Sequence, residues 1–255
     1  MTIGYDIYLM AGQSNMVGQG VSADGLQDFN DPRVFQFGGA AKDPRYRTIF
    51  LGNDPAHHEE GVNNKKVSPI FPFGRVMALK TESCRRILLV PVAHSGTALV
   101  NGPWSVGGKL YENAITQANL AIQTAKAEFA GSDFKGIVWL QGEADLNVAQ
   151  NVYANFLDNM VKGFRSRIAG AEKAPFVVLQ MLPAWIAKTN GNVDRAHQDT
   201  PNRLEYCVFV PAPTDKKCGN SDNIHFSAIG SRIIGRNAAM AFDAALQNSF
   251  ISNPL

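Results

Sequence analysis

Short apolar runs alternate with longer amphipathic ones along most of this chain. Runs at 6–10, 87–92, 136–140, 176–181 and 206–210 are rich in Val, Ile, Leu and aromatic residues. Most lack strict apolar–polar alternation, the pattern of strands covered on both faces of a parallel sheet. Helical periodicity fills the intervals. A short helix is predicted at 72–80. At 109–130, Leu110, Ala114, Ala118, Ala121, Ile122 and Ala125 recur at helical spacing; at 152–168, Phe156, Leu157, Met160 and Phe164 form one stripe. A last helix is predicted at 227–246, with Ser227 as its N-cap. Strand and helix in alternation predict an α/β fold: a doubly wound, mostly parallel five-stranded sheet with helices on both faces.

One stretch departs from this rhythm. Residues 21–68 carry Gly, Pro, Asn and Asp throughout, and so long a segment is uncommon as bare loop. It is expected to wrap over the sheet edge and help shape a cleft. Within it stands His57-His58-Glu59-Glu60. Adjacent side chains on a loop diverge, and no further ligand follows at helical spacing, so a solvated loop is expected rather than a metal site. No repeat or low-complexity linker interrupts the chain, and 255 residues suffice for one α/β domain, read here as 1–255.

Composition adjusts this picture only slightly. Hydrophobic content of 45% and charge of 18% are ordinary for a globular protein. A net charge of +2 gives no argument for nucleic acid or an anionic membrane as partner. Arg85-Arg86 and Lys216-Lys217 read as solvated loop charges. No run is long enough to cross a bilayer. Asp6 breaks the first apolar run and no basic segment precedes it, so no signal peptide is visible. The expectation is a protein that stays in the cytoplasm, one that leaves the cell by another route, or a mature form whose leader has been removed. Cys84, Cys207 and Cys218 make no disulfide framework; reduced thiols are expected, with a Cys207–Cys218 bridge as the other option. The pattern sets no oligomeric state.

Chemistry enters at the strand ends. The first predicted strand runs into Ala11-Gly12-Gln13-Ser14-Asn15-Met16, the second into His94-Ser95-Gly96-Thr97, the third into Gln141-Gly142-Glu143-Ala144-Asp145. The fourth ends near Pro183-Ala184-Trp185, and the last leads to Ser221-Asp222-Asn223-Ile224-His225. In doubly wound sheets, ligands sit beyond the carboxyl ends of the strands, so these polar groups converge on one edge. Each motif alone has two readings. Ser14 is a serine lifted out of a sheet beside free backbone N–H groups, or a turn residue. Asp222, three residues before His225, fixes an imidazole tautomer, or belongs to an unrelated loop. Glu143 and Asp145 face a cleft, or cap the next helix.

Taken together, and in order, these motifs resemble the SGNH hydrolases, in the branch of carbohydrate esterase family six and the sialate O-acetylesterase-like domains. Gly12-Gln13-Ser14-Asn15 is similar to the nucleophile block. Gly96 matches the second block, and Trp139-Leu140-Gln141-Gly142-Glu143-Ala144-Asp145 the branch's Trp-x-Gln-Gly-Glu-x-Asp. Asp222 and His225 match Asp-x-x-His. The resemblance implies a flavodoxin-like fold and a serine esterase that removes acetyl groups from a carbohydrate. Ser14 would be the nucleophile, His225 the base and Asp222 the acid. Ser14 and Gly96 N–H and the Gln141 amide would form the oxyanion hole, with no cofactor or metal. The wider superfamily carries Asn in the third block; Gln141 and Glu143 stand there here, which makes Glu143 an alternative or supporting acid. Gln13, Asn15, His94, Trp104 and Trp185 are candidates to touch substrate, although Trp104 and Trp185 equally fit a core and His94 a loop. A lipid or thioester substrate, or a glycan-binding module without turnover, are the other readings.

Overall fold

The computed structural model describes residues 2–21, 24, 26–62 and 66–248. Among these residues, seven strands form the main sheet: β1 (Gly4–Gly12), β2 (Val34–Phe37), β3 (Ile49–Leu51), β4 (Arg85–Pro91), β5 (Asp133–Leu140), β6 (Phe176–Leu179) and β7 (Cys207–Val210). Their spatial order is β7-β6-β5-β1-β4-β2-β3. Every neighbouring pair is parallel except β2 and β3.

β1 lies at the centre and is buried at all of its 9 positions, which is why its sequence shows no alternation. Four helices cover the sheet: α1 (Ile70–Lys80), α2 (Lys109–Glu128), α3 (Gln150–Arg167) and α4 (Ala228–Gln247). Successive β1 side chains serve opposite cores. Ile7, Leu9 and Ala11 pack in the cluster that holds Leu110, Ala118, Leu157 and Phe164 of α2 and α3. Tyr8 and Met10 pack with Phe73 of α1 and Ile234 and Phe242 of α4. The doubly wound architecture is therefore present, with two strands beyond the expected five.

Both extra strands come from the irregular segment. β2 adds to the edge of β4, with Phe35 opposite Leu88, and β3 turns back against it. Two further two-residue pairings, Gly20–Val21 with Lys66–Val67 and His57–His58 with Gly61–Val62, organise the same region. Positions 22, 23, 25 and 63–65 of that segment lie outside the described residues. Cys207 and Cys218 are buried free thiols. Among the described residues, no helix is long and apolar enough to cross a membrane.

Candidate active site

β1 and β5 run so close that a Cβ on Gly12 would collide with the Leu140 carbonyl, and Gly12 holds φ +145. Only glycine accepts both conditions. Gln13 N–H then bonds Leu140 O at 3.0 Å, and a single turn, Ser14–Val17, leaves the sheet. Ser14 stands at the head of that turn. Its Oγ lies 2.9 Å from His225 Nε2, and His225 Nδ1 lies 2.7 Å from Asp222 Oδ2.

The loop ahead of α4 builds the second half of the chain. Asp222 Oδ1 accepts from Ile224 N–H (2.8 Å) and His225 N–H (3.0 Å). Burial pushes this carboxyl up, but the two backbone donors and the imidazole outweigh it, and the net shift is below the ordinary Asp value. An ionised Asp222 only accepts, so Nδ1 carries the ring hydrogen and the Nε2 lone pair faces the Ser14 hydroxyl. The structure thus brings the side chains of Ser14, His225 and Asp222 together.

Asn15 corrects one expectation. It is 1% exposed and offers nothing to a substrate. Its Oδ1 accepts from Phe226 N–H at 2.9 Å, and its Nδ2 donates to Ile224 O at 3.1 Å. The amide thus clamps both neighbours of His225. Glu143 Oε1 accepts the same Nδ2 at 2.5 Å. Burial raises the Glu143 carboxyl pKa despite that bond. Glu143 therefore reaches the imidazole loop through Asn15, and Asp222 is the acid that bonds the ring.

Gly96 lies on the loop after β4, exposed, at φ +68 with open space where a side chain would stand. The loop is tied on every side. His94 N–H bonds Gly12 O at 3.1 Å, and Asp145 accepts from Leu99 N–H (2.8 Å) and Val100 N–H (3.0 Å). Asp145 thus supports this loop rather than capping a helix.

Gln141 is a second correction. Its side chain is fully buried, and its Nε2 faces Asp145 Oδ2 (2.6 Å), Thr97 O (3.0 Å) and Gln13 Oε1 (3.3 Å). Two amide hydrogens meeting three internal acceptors leave none for an oxyanion. Gln13 itself is 3% exposed. Trp104 is a third: wholly buried, edge-on to Trp139 at 5.1 Å, with Nε1–H given to Thr97 Oγ1 at 2.9 Å. It is core, not a sugar platform. Trp185 is half-buried and packs on both cores. His94 keeps a partly exposed ring, with Nδ1 2.9 Å from Glu59 Oε2.

The His57–Glu60 run is the fourth correction. His57 and His58 are buried rather than solvated. His58 Nδ1 accepts from Ala93 N–H at 2.9 Å, and burial, with His57 next to it, lowers the His58 pKa to about 3. Glu60 takes the Ser95 N–H and hydroxyl. The run braces the Gly96 loop. Nothing in its spacing announced this, because the partners lie 35 residues away. Tyr153 was likewise invisible as a polar residue: it sits on the apolar stripe of α3, and only the fold shows its hydroxyl 2.7 Å from Gln141 Oε1.

Fold and site geometry together define an SGNH-type hydrolase domain. The family model for "Carbohydrate esterase, sialic acid-specific acetylesterase" matches residues 4–244, and the chain belongs to this family of carboxylic ester hydrolases. It is similar to the "Probable carbohydrate esterase At4g34215" of Arabidopsis thaliana, 24% identical over 253 residues, covering 92% of this chain and 89% of that one. Among solved structures it is similar to NanS, at TM-score 0.77 and 19% identity, covering 96% of this chain and 98% of that one. The crystal structure of the same Arabidopsis protein gives TM-score 0.76 at 21% identity, with 94% and 98% covered. XAC1771, a carbohydrate acetylesterase from Xanthomonas citri, gives 0.63 at 16% identity, with 96% and 57% covered.

Proposed function

We propose that this protein is a serine esterase that removes O-acetyl groups from a carbohydrate by way of an acetyl-enzyme. The observation that carries the reading is the continuous chain from Ser14 Oγ through the His225 ring to Asp222, with spacings of 2.9 Å and 2.7 Å. Ser14 Oγ attacks the ester carbonyl carbon while its proton passes to His225 Nε2. The tetrahedral oxyanion is met by the backbone N–H groups of Ser14 and Gly96. As it collapses, the sugar oxygen leaves with the proton from His225, and Ser14 keeps the acetyl group. Water then attacks the acetyl carbonyl, His225 accepts its proton, and acetate departs as the proton returns to Ser14. Asp222, ionised, holds the Nε2 lone pair toward Ser14 and stabilises the imidazolium.

No step needs a metal or organic cofactor. His94, whose partly exposed ring stands beside the Gly96 loop, is the candidate side chain to touch the sugar. The test is acetate release from a panel of acetylated glycans, including acetylated xylan and O-acetylated sialic acid, with Ser14→Ala beside the native protein. Turnover on at least one glycan, lost by more than about a thousandfold in Ser14→Ala, supports the reading. A variant that keeps a tenth of native turnover refutes it.

A further inference from the structure

A second polar chain runs through the core behind the site, and the mechanism above uses none of its outer members. Gln141 Oε1 is 2.7 Å from Tyr153 Oη, and Tyr153 Oη is 2.9 Å from His197 Nε2. Gln141, Tyr153 and His197 are each fully buried. Tyr153 comes from α3, and His197 from the short helix Asn192–Gln198. We infer that Tyr153 and His197 are positioning residues for turnover: they lock the Gln141 amide, and through it the Gly96 loop, with His197 held as its neutral Nε2–H tautomer. This inference rests on the esterase reading for its kinetic half.

The directions of the hydrogen bonds follow by elimination. Asp145 Oδ2 and Thr97 O both face one end of the Gln141 amide. Both are acceptors, so that end is the NH2 group; turning the amide over would set an oxygen against two oxygens. The other end, Oε1, therefore needs a donor, and the Tyr153 hydroxyl supplies its single hydrogen. With that hydrogen spent, Tyr153 Oη only accepts, and the nitrogen 2.9 Å from it must carry hydrogen. Burial lowers the His197 pKa to about 3, so the ring is neutral and its other nitrogen is bare. His197 Nδ1 is indeed buried with no hydrogen-bond partner among the described residues.

The far end of this chain is the loop. Gln141 Nε2 holds Thr97 O, next to Gly96, and steadies Asp145, which holds Leu99 and Val100. Close packing makes the arrangement unforgiving: a Cβ on Gly142 would lie 3.1 Å from His197 Cε1. Losing the phenol leaves the Gln141 oxygen buried and unpaired, and an amide in that position turns or shifts to find a donor. The Gly96 N–H then moves off the oxyanion, which harms the transition state more than substrate binding.

Three measurements on the full chain decide the matter. The first is 15N NMR of the histidine rings in the native protein between roughly pH 5 and pH 8. His197 is expected neutral throughout, protonated on Nε2 and bare on Nδ1; an Nδ1–H or charged ring overturns the inference. The second is Tyr153→Phe, with kcat counted per chain that a serine-directed phosphonate titrates, so that misfolded protein does not enter. We expect kcat to fall roughly tenfold or more, KM to stay within about threefold, and the shape of the kcat–pH profile to stay in place. An unchanged kcat per titrated chain overturns it. The third is His197→Gln beside His197→Leu. The glutamine keeps an N–H for the phenol and should restore most of the kcat lost in the leucine variant; equal loss in both overturns the directional chain. A native protein inactive on every acetyl ester would refute the esterase reading and the kinetic half, while the tautomer would still be decided by NMR.

Discussion

Ser14, His225 and Asp222 are brought within two hydrogen bonds by residues from opposite ends of the chain. The two candidate acids point to different partners. Asp222 Oδ2 meets the ring at 2.7 Å, while Glu143 Oε1 accepts from Asn15. Asp222→Asn is therefore expected to cut kcat by up to about 10⁴, because the wrong tautomer faces Ser14. Glu143→Gln still offers Asn15 an acceptor. It should cost no more than about tenfold, the difference between a charge-assisted and a neutral hydrogen bond. Steady-state kcat for the two variants, side by side, checks the order; a reversed order would move the acid to Glu143. Ser14, His225 and Asp222 stood out in sequence only as motifs taken together and in order, since each alone left a second reading open, and the structure brings the three side chains together. Asn15 and Gln141 were misread as ligand-facing because a motif carries residue types but not the direction of an amide. That direction depends on partners such as Phe226 and Asp145, and only the fold sets them.

At the scale of elements, α4 does more than cover the sheet. Ser227, two residues after His225, caps it: Oγ accepts from Gly230 N–H at 3.2 Å and donates to Lys217 O at 2.6 Å. Asn220 N–H bonds His225 O at 2.8 Å, so the loop is closed on itself before the helix begins. Ser227→Ala removes a cap and should lower unfolding free energy by about 1 kcal/mol, read from urea titration. No change in the urea midpoint would show that the cap carries no weight. This cap and all four long helices were readable from periodicity. β2 and β3 were not, for a physical reason. At 4 and 3 residues they are too short to show a period; β2 is a strand because it pairs along the edge of β4, and β3 because it pairs back along β2.

Across the whole molecule, the irregular segment is bound to the core by charge as well as by strands. Asp28 accepts from Arg232 of α4 through Nε at 2.9 Å and Nη2 at 2.6 Å, and both side chains are buried. Burial pushes the Asp28 carboxyl up, but the Arg232 guanidinium and the Asp24 N–H outweigh it, leaving the pKa below the ordinary value. A carboxylate depressed on folding stabilises the folded state above its unfolded pKa, and loses that contribution as pH falls through its folded pKa. Asp28→Asn leaves Arg232 buried without a counter-charge and should cost about 3 kcal/mol near neutral pH. The gap to native should narrow as pH drops below the ordinary Asp range; a gap independent of pH would contradict this pairing. Acetyl transfer to Ser14 is the claim on which the functional reading stands, and trapping it is the most direct test. The protein is mixed with an acetyl ester, quenched in acid within the first turnovers, and its intact mass and peptides are measured. The expected result is one acetyl group per chain, on the peptide bearing Ser14 and absent in Ser14→Ala. Acetate release with no acetylated chain, or an acetyl group fixed on another residue, would contradict it.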